Sequence, residues 1–145
     1  MEKNKKNLKE LSILVLILVG ITFIKNIVTV CINGFTVASQ LPGIAADLVE
    51  ITAIISFIIG LLLLLPEIYI GVKGIKIANG AQSGKAPIVW AVIFAILAGI
   101  SVISGLSGIF KGFETGKFLD FLNAAIDVAV YVCYIVYVRK VLQAK

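Results

Sequence analysis

Residues Ile88 to Phe110 read IVWAVIFAILAGISVISGLSGIF, 23 positions without a charged side chain, an amide side chain or a proline. As a helix this stretch rises about 35 Å, enough to cross the roughly 30 Å hydrocarbon core of a bilayer. A strand is excluded because the run is too long and does not alternate polar with apolar residues. The stretch predicts a transmembrane helix.

Three further runs meet or approach the same length: Leu11 to Ile32, Leu48 to Ile70 and Phe118 to Val138. Between the four lie Asn33 to Asp47, Gly71 to Pro87 and Lys111 to Lys117, each rich in Gly, Pro, Asn, Gln or charge, as turn segments are. The expected fold is all-α, an integral membrane four-helix bundle forming one domain over residues 1–145, with spans near 11–32, 48–70, 88–110 and 118–138. Short loops make consecutive helices antiparallel neighbours. Composition agrees: 60% of the 145 residues are hydrophobic and 14% charged, against roughly 45–50% and about 25% in soluble domains.

Basic residues predict the orientation. Lys3, Lys5, Lys6 and Lys9, then Lys73, Lys76 and Lys85, then Arg139, Lys140 and Lys145 fall on one side, against Lys111 and Lys117 on the other. Both termini are expected in the cytoplasm, with Tyr69, Trp90 and Tyr137 at the cytoplasmic interface. The net charge of +5 then faces anionic lipid headgroups, not nucleic acid. The basic start followed by Leu11 to Ile24 imitates a secretory signal. An uncleaved first helix is expected, because the apolar run resumes through Ile32 and Val30 is too large to precede a lipoprotein cleavage site. Lys makes up 12 of the 13 basic residues and Ile is abundant, a usage that suits an AT-rich genome and a bacterial inner membrane.

Catalytic chemistry finds few residues to work with. The chain has no His and two Cys, Cys31 and Cys133, so imidazole and thiolate metal sites and His-activated nucleophiles cannot be assembled. The two cysteines fall at different depths, too far apart for a disulfide. Gly80 to Lys85 imitates a phosphate loop but has three residues between its glycines instead of four, and Ala86 follows the Lys where Ser or Thr would bind magnesium. Asp120 and Asp127 are about 10 Å apart along one helix, too far for an aspartyl dyad. No segment outside the spans approaches the roughly 40 residues a soluble domain needs. Neither a cofactor nor an enzymatic activity is expected.

Three stripes carry the remaining information. In the fourth helix Asp120, Asn123, Asp127, Tyr131 and Tyr134 recur at spacings of 3 and 4 and share one face; Thr22, Lys25 or Asn26, Thr29 and Asn33 mark a similar face on the first. Both faces are expected to point inward, because an ionised side chain at mid-bilayer costs at least about 2.5–3.5 kcal/mol. Levelling the helices at Lys9 and Arg139 puts Lys25 and Asp127 within about 6 Å in height, so these two are expected to pair, with Asn123 or Asn26 supplying hydrogen bonds and Glu50 as the competing partner. Such a pair either serves function or fixes helix register.

In the third helix Ala91, Phe94, Ala98, Ser101, Gly105, Gly108 and Gly112 form a seam of mostly small residues, expected to meet another helix of this chain or of a second copy directly. In the second, Pro66 is expected to kink or loosen the last turns. Glu67, on the face of Gly60 and Gly71, is either a carboxylate at a hinge or an interfacial charge neutralised by Lys73 or Lys76. Two functions fit. One is a non-enzymatic accessory, assembly or immunity-type protein acting by helix association with a second copy or another membrane protein. The other is a small oligomeric ion- or proton-coupled transporter or channel. The chain does not resemble small multidrug transporters: it is longer, Lys25 stands where a carboxylate is needed, and no inverted repeat is evident.

Overall fold

The computed structural model describes the backbone of residues 2–38, 44–81, 84–112 and 115–144, and their side chains apart from 33–38, 44–50, 53 and 56. It consists of four helices: α1 (Glu2–Ala38), α2 (Ile44–Ala78), α3 (Ala86–Lys111) and α4 (Thr115–Gln143). All four are long and apolar enough to cross a membrane. Their surfaces are apolar nearly all round, with Ile17, Ile24, Leu62, Leu65, Ile96 and Ile103 among many large exposed side chains, as expected of helices solvated by lipid. The helices outrun the apolar stretches; the 37 residues of α1 extend about 55 Å, well beyond the hydrocarbon core.

Local chemistry sets the ends. Gly80 has φ of +100°, a conformation that glycine adopts without steric cost. There its amide donates to the Ile77 carbonyl at 3.0 Å while the Ala81 amide donates to Lys76 at 2.9 Å, which together cap α2 in a Schellman arrangement. Pro87 stands in the first turn of α3, where its missing N–H costs nothing. The stretch that imitates a phosphate loop is thus a helix stop followed by a helix start. Pro66, by contrast, lies inside α2, which runs through it to Ala78 without interruption.

Packing is most extensive between α1 and α2 and between α3 and α4, with α1 also against α4 and lighter contact of α2 with α3 and α4. The buried residues crowd toward one end of the bundle. They include Leu8, Ser12, Val15 and Val19 of α1, Leu64, Ile70, Ile77 and Ala78 of α2, Pro87, Ala91 and Phe94 of α3, and Ala124, Val130, Tyr131, Tyr134, Val138 and Val141 of α4. Glycine makes this density possible. A Cβ at Gly71 would sit 2.6 Å from Leu16 Cδ2, and one at Gly74 would overlap Ser12 Oγ and lie 2.7 Å from Tyr134 Cε2. Within lipid there is little hydrophobic drive between helices, so such close approach is how they gain dispersion energy. Ser12 fits because its hydroxyl donates back to the Leu8 carbonyl at 2.7 Å, leaving no polar atom of the seam unsatisfied.

Candidate functional site

The packed end holds a polar connection between α2 and α4. Glu67 follows Pro66 on α2 and faces α4, where the Tyr131 hydroxyl donates to its Oε1 at 3.0 Å. One turn on, the Tyr134 hydroxyl donates to the Ile70 carbonyl at 2.8 Å. Both bonds span the same 64 residues in sequence, so together they lock one register of α2 on α4. Phe94 of α3 stacks on Tyr131 with centroids 5.6 Å apart and planes at 23°, and Trp90 lies 6.4 Å from Phe94. Asp127, half-buried and one turn before Tyr131, is within electrostatic range of both Glu67 and Tyr131.

Lys73 and Lys76 do not neutralise Glu67 as expected from their proximity in sequence. At 100° per residue they project about 120° and 180° away from it around α2, and Lys73 instead lies 5.8 Å over the Tyr69 ring. The matching feature on α4 is Lys140, 5.5 Å over Tyr137.

Toward the opposite end the polar residues are exposed. Thr22, Lys25 and Thr29 of α1 and Asp120 and Asn123 of α4 lie open, and Asn26 is half-buried against Gly60. The inward orientation expected of both polar faces therefore holds on α4 only for Asp127, Tyr131 and Tyr134. Lys25 does adjoin α4, but its ion pair is with Asp120, Nζ to Oδ1 3.8 Å, and not with Asp127. The reason is register. Asn7 donates to the Tyr137 hydroxyl at 3.0 Å, which levels the helices there instead of at Lys9 and Arg139. Lys25 is 18 residues and Asp120 17 residues from that contact, both about 26 Å away, whereas Asp127 is only about 15 Å away. Glu50 and Asn33 lie outside the described side chains.

The α3 seam divides. Ala91 and Phe94 are buried and Ala98 is half-buried. Gly105 sits under Phe121, whose Cβ would be 3.1 Å from an added Cβ, and Gly108 faces Lys117 Cδ at 3.6 Å. Ser101 is exposed and bonds its own helix at the Leu97 carbonyl, 3.1 Å, and Gly112 has open space around it. Gly105 and Gly108 thus receive α4 of the same chain. Beside them a groove of about 520 Å³ opens sideways, lined by Ile100, Ser101, Ser104, Gly105, Gly108, Lys117 and Asp120. Sequence reasoning missed the Gly71–Gly74 seam on α2; the signal was present in two glycines one turn apart with Ser12 available on α1. Among the described residues Cys31 and Cys133 are free thiols, and no three His, Cys, Asp or Glu side chains gather to hold a metal ion.

No protein-family model, curated protein or solved structure matches the chain.

Proposed function

We propose that the chain is a non-enzymatic, multi-pass membrane protein of a bacterial plasma membrane that acts by self-association. Both termini lie in the cytoplasm and consecutive helices run antiparallel. The orientation is supported by the ten-to-two division of basic residues flanking the spans. The helix directions are supported by the order of the contacts: Ser12 meets Gly74 while Asn26 meets Gly60, and Phe94 meets Tyr131 while Gly105 meets Phe121.

The observation that carries association is the polar groove between α3 and α4. Its polar residues begin near the middle of α3 with Ser101 and Ser104, and polar side chains at membrane depth favour contact with another helix over contact with lipid. A twofold contact along the groove sets Ser104 of one copy against Ser104 of the other, a self-complementary arrangement. The test is oxidative cross-linking in membranes with a single cysteine at Ser104, after Cys31 and Cys133 are replaced by Ser. Ser104→Cys gives covalent dimers and Ile103→Cys, at the same depth on the lipid face, does not. Failure at Ser104, or equal yield at Ile103, rejects this interface.

One observation favours a second reading, coupling to an ion or proton. Glu67, Tyr131 and Asp127 place two carboxylates and a phenol together within the spans, and intramembrane ionisable groups commonly mark ion paths. On this reading Asp127→Asn abolishes flux in proteoliposomes while the protein stays folded; unchanged flux rejects it.

A further inference from the structure

We propose that the groove between the Lys-rich ends of α1 and α4 is a binding site for one anionic phospholipid. The groove has a volume of about 520 Å³ and is lined by Asn7, Glu10, Leu11 and Leu14 of α1 with Cys133 and Tyr137 of α4. Its polarity is graded along the bundle axis. Asn7 and Tyr137 stand level at its outer rim, joined by their 3.0 Å hydrogen bond, while Leu11, Leu14 and Cys133 continue inward between the helices. From Asn7 to Leu11 is one turn, about 6 Å, which matches the depth of the headgroup zone on one side of a bilayer. A lipid whose phosphate sits at Asn7 therefore begins its acyl chains at Leu11.

The rim offers donors and positive charge. The Tyr137 hydroxyl accepts from Asn7 and keeps its own proton to donate, and the Asn7 amide keeps its second N–H. Lys140 Nζ lies 5.5 Å from the centroid of the Tyr137 ring, a cation–π contact that keeps an ammonium beside this rim. Glu10 also lines the groove; its carboxylate lies 3.8 Å from the Lys6 ammonium in an exposed pair, which offsets its charge. Two N–H or O–H donors and a neighbouring ammonium suit a phosphodiester. The remaining positive balance favours a headgroup that brings no cation of its own.

The site is independent of self-association, which uses the α3–α4 face. It is tested on the full chain in detergent by native mass spectrometry with phosphatidylglycerol, phosphatidylcholine and inorganic phosphate as separate probes. Wild type retains one phosphatidylglycerol in preference to phosphatidylcholine and does not retain inorganic phosphate. Lys140→Gln, an exposed change that leaves the core untouched, lowers phosphatidylglycerol affinity about fivefold. Leu14→Trp, filling the acyl section from an exposed position, abolishes retention, and Lys111→Gln at the other end of the bundle changes nothing. Equal retention of the two lipids, retention of phosphate alone, or full retention by both Lys140→Gln and Leu14→Trp overturns the proposal.

Discussion

Replacing Gly74 by Ala adds one methyl group at the most crowded point of the bundle. The new Cβ overlaps Ser12 Oγ and lies 2.7 Å from Tyr134 Cε2 and 3.0 Å from Tyr134 Oη, whereas carbon atoms rest at about 3.5–4.0 Å. Neither neighbour has room to retreat. Ser12 and Tyr134 are fully buried, and each is tied by its hydroxyl, to Leu8 and Ile70 respectively. Overpacking costs about 1–3 kcal/mol, and displacing Tyr134 forfeits a hydrogen bond of about 0.5–1.5 kcal/mol. Alanine returns about 0.5–1 kcal/mol of helix stability, so the net loss is roughly 0.5–4 kcal/mol, or about 2–12 °C in Tm. The assay is thermal unfolding in mild detergent at fixed protein concentration. Gly20→Ala is the control, because nothing lies within 4 Å of its added Cβ; it raises Tm slightly. If Gly74→Ala moves Tm in the same direction as Gly20→Ala, the close approach of α1, α2 and α4 at Gly74 is refuted.

Other substitutions separate the individual contacts. A double-mutant cycle of Lys25→Gln with Asp120→Asn yields a coupling of about 0.2–1 kcal/mol, as for exposed pairs, and the same cycle with Asp127→Asn yields none; coupling to Asp127 instead would restore the register that Asn7 and Tyr137 contradict. Tyr131→Phe and Glu67→Gln are each destabilising, and combined they cost less than the sum, because either one alone already breaks the single bond between them; strict additivity in unfolding measurements counts against that bond. Tyr134→Phe costs about 0.5–1.5 kcal/mol, read as a lower unfolding midpoint, and an unchanged midpoint would mean the Ile70 carbonyl gains nothing from it.

The four helices were legible because hydropathy and length alone identify apolar runs such as Ile88 to Phe110, whatever face each residue takes. Which residues meet was much less legible. In a soluble helix the apolar stripe marks the core, but in α2 and α3 apolar residues surround the whole circumference, and both lipid and core accept them. Only small or polar residues then distinguish an inner face. That signal worked for Tyr131 and Tyr134, which are buried, and for Gly105, which receives Phe121. It failed at Lys25, because the relative height of two helices depends on a contact between them and not on the ends of their apolar runs. Levelled at Lys9 and Arg139, Lys25 falls between Asp120 and Asp127, about 4.5 Å in height from the first and about 6 Å from the second; levelling at Asn7 and Tyr137 shifts the register by about one turn, which brings Asp120 level and takes Asp127 about 12 Å away. The pairing of Glu67 with Tyr131 was hidden for a similar reason: Lys73 and Lys76 are near in sequence but point elsewhere around α2, while the partner stands across the bundle on α4.

Self-association through the α3–α4 groove is tested most directly by energy transfer between donor- and acceptor-labelled copies in liposomes, diluted progressively with lipid. Transfer that exceeds random proximity, declines on dilution along a monomer–dimer curve, and is lost in Ser104→Trp is the predicted result. Transfer at the random level for wild type at every dilution, or unchanged transfer in Ser104→Trp, would contradict it.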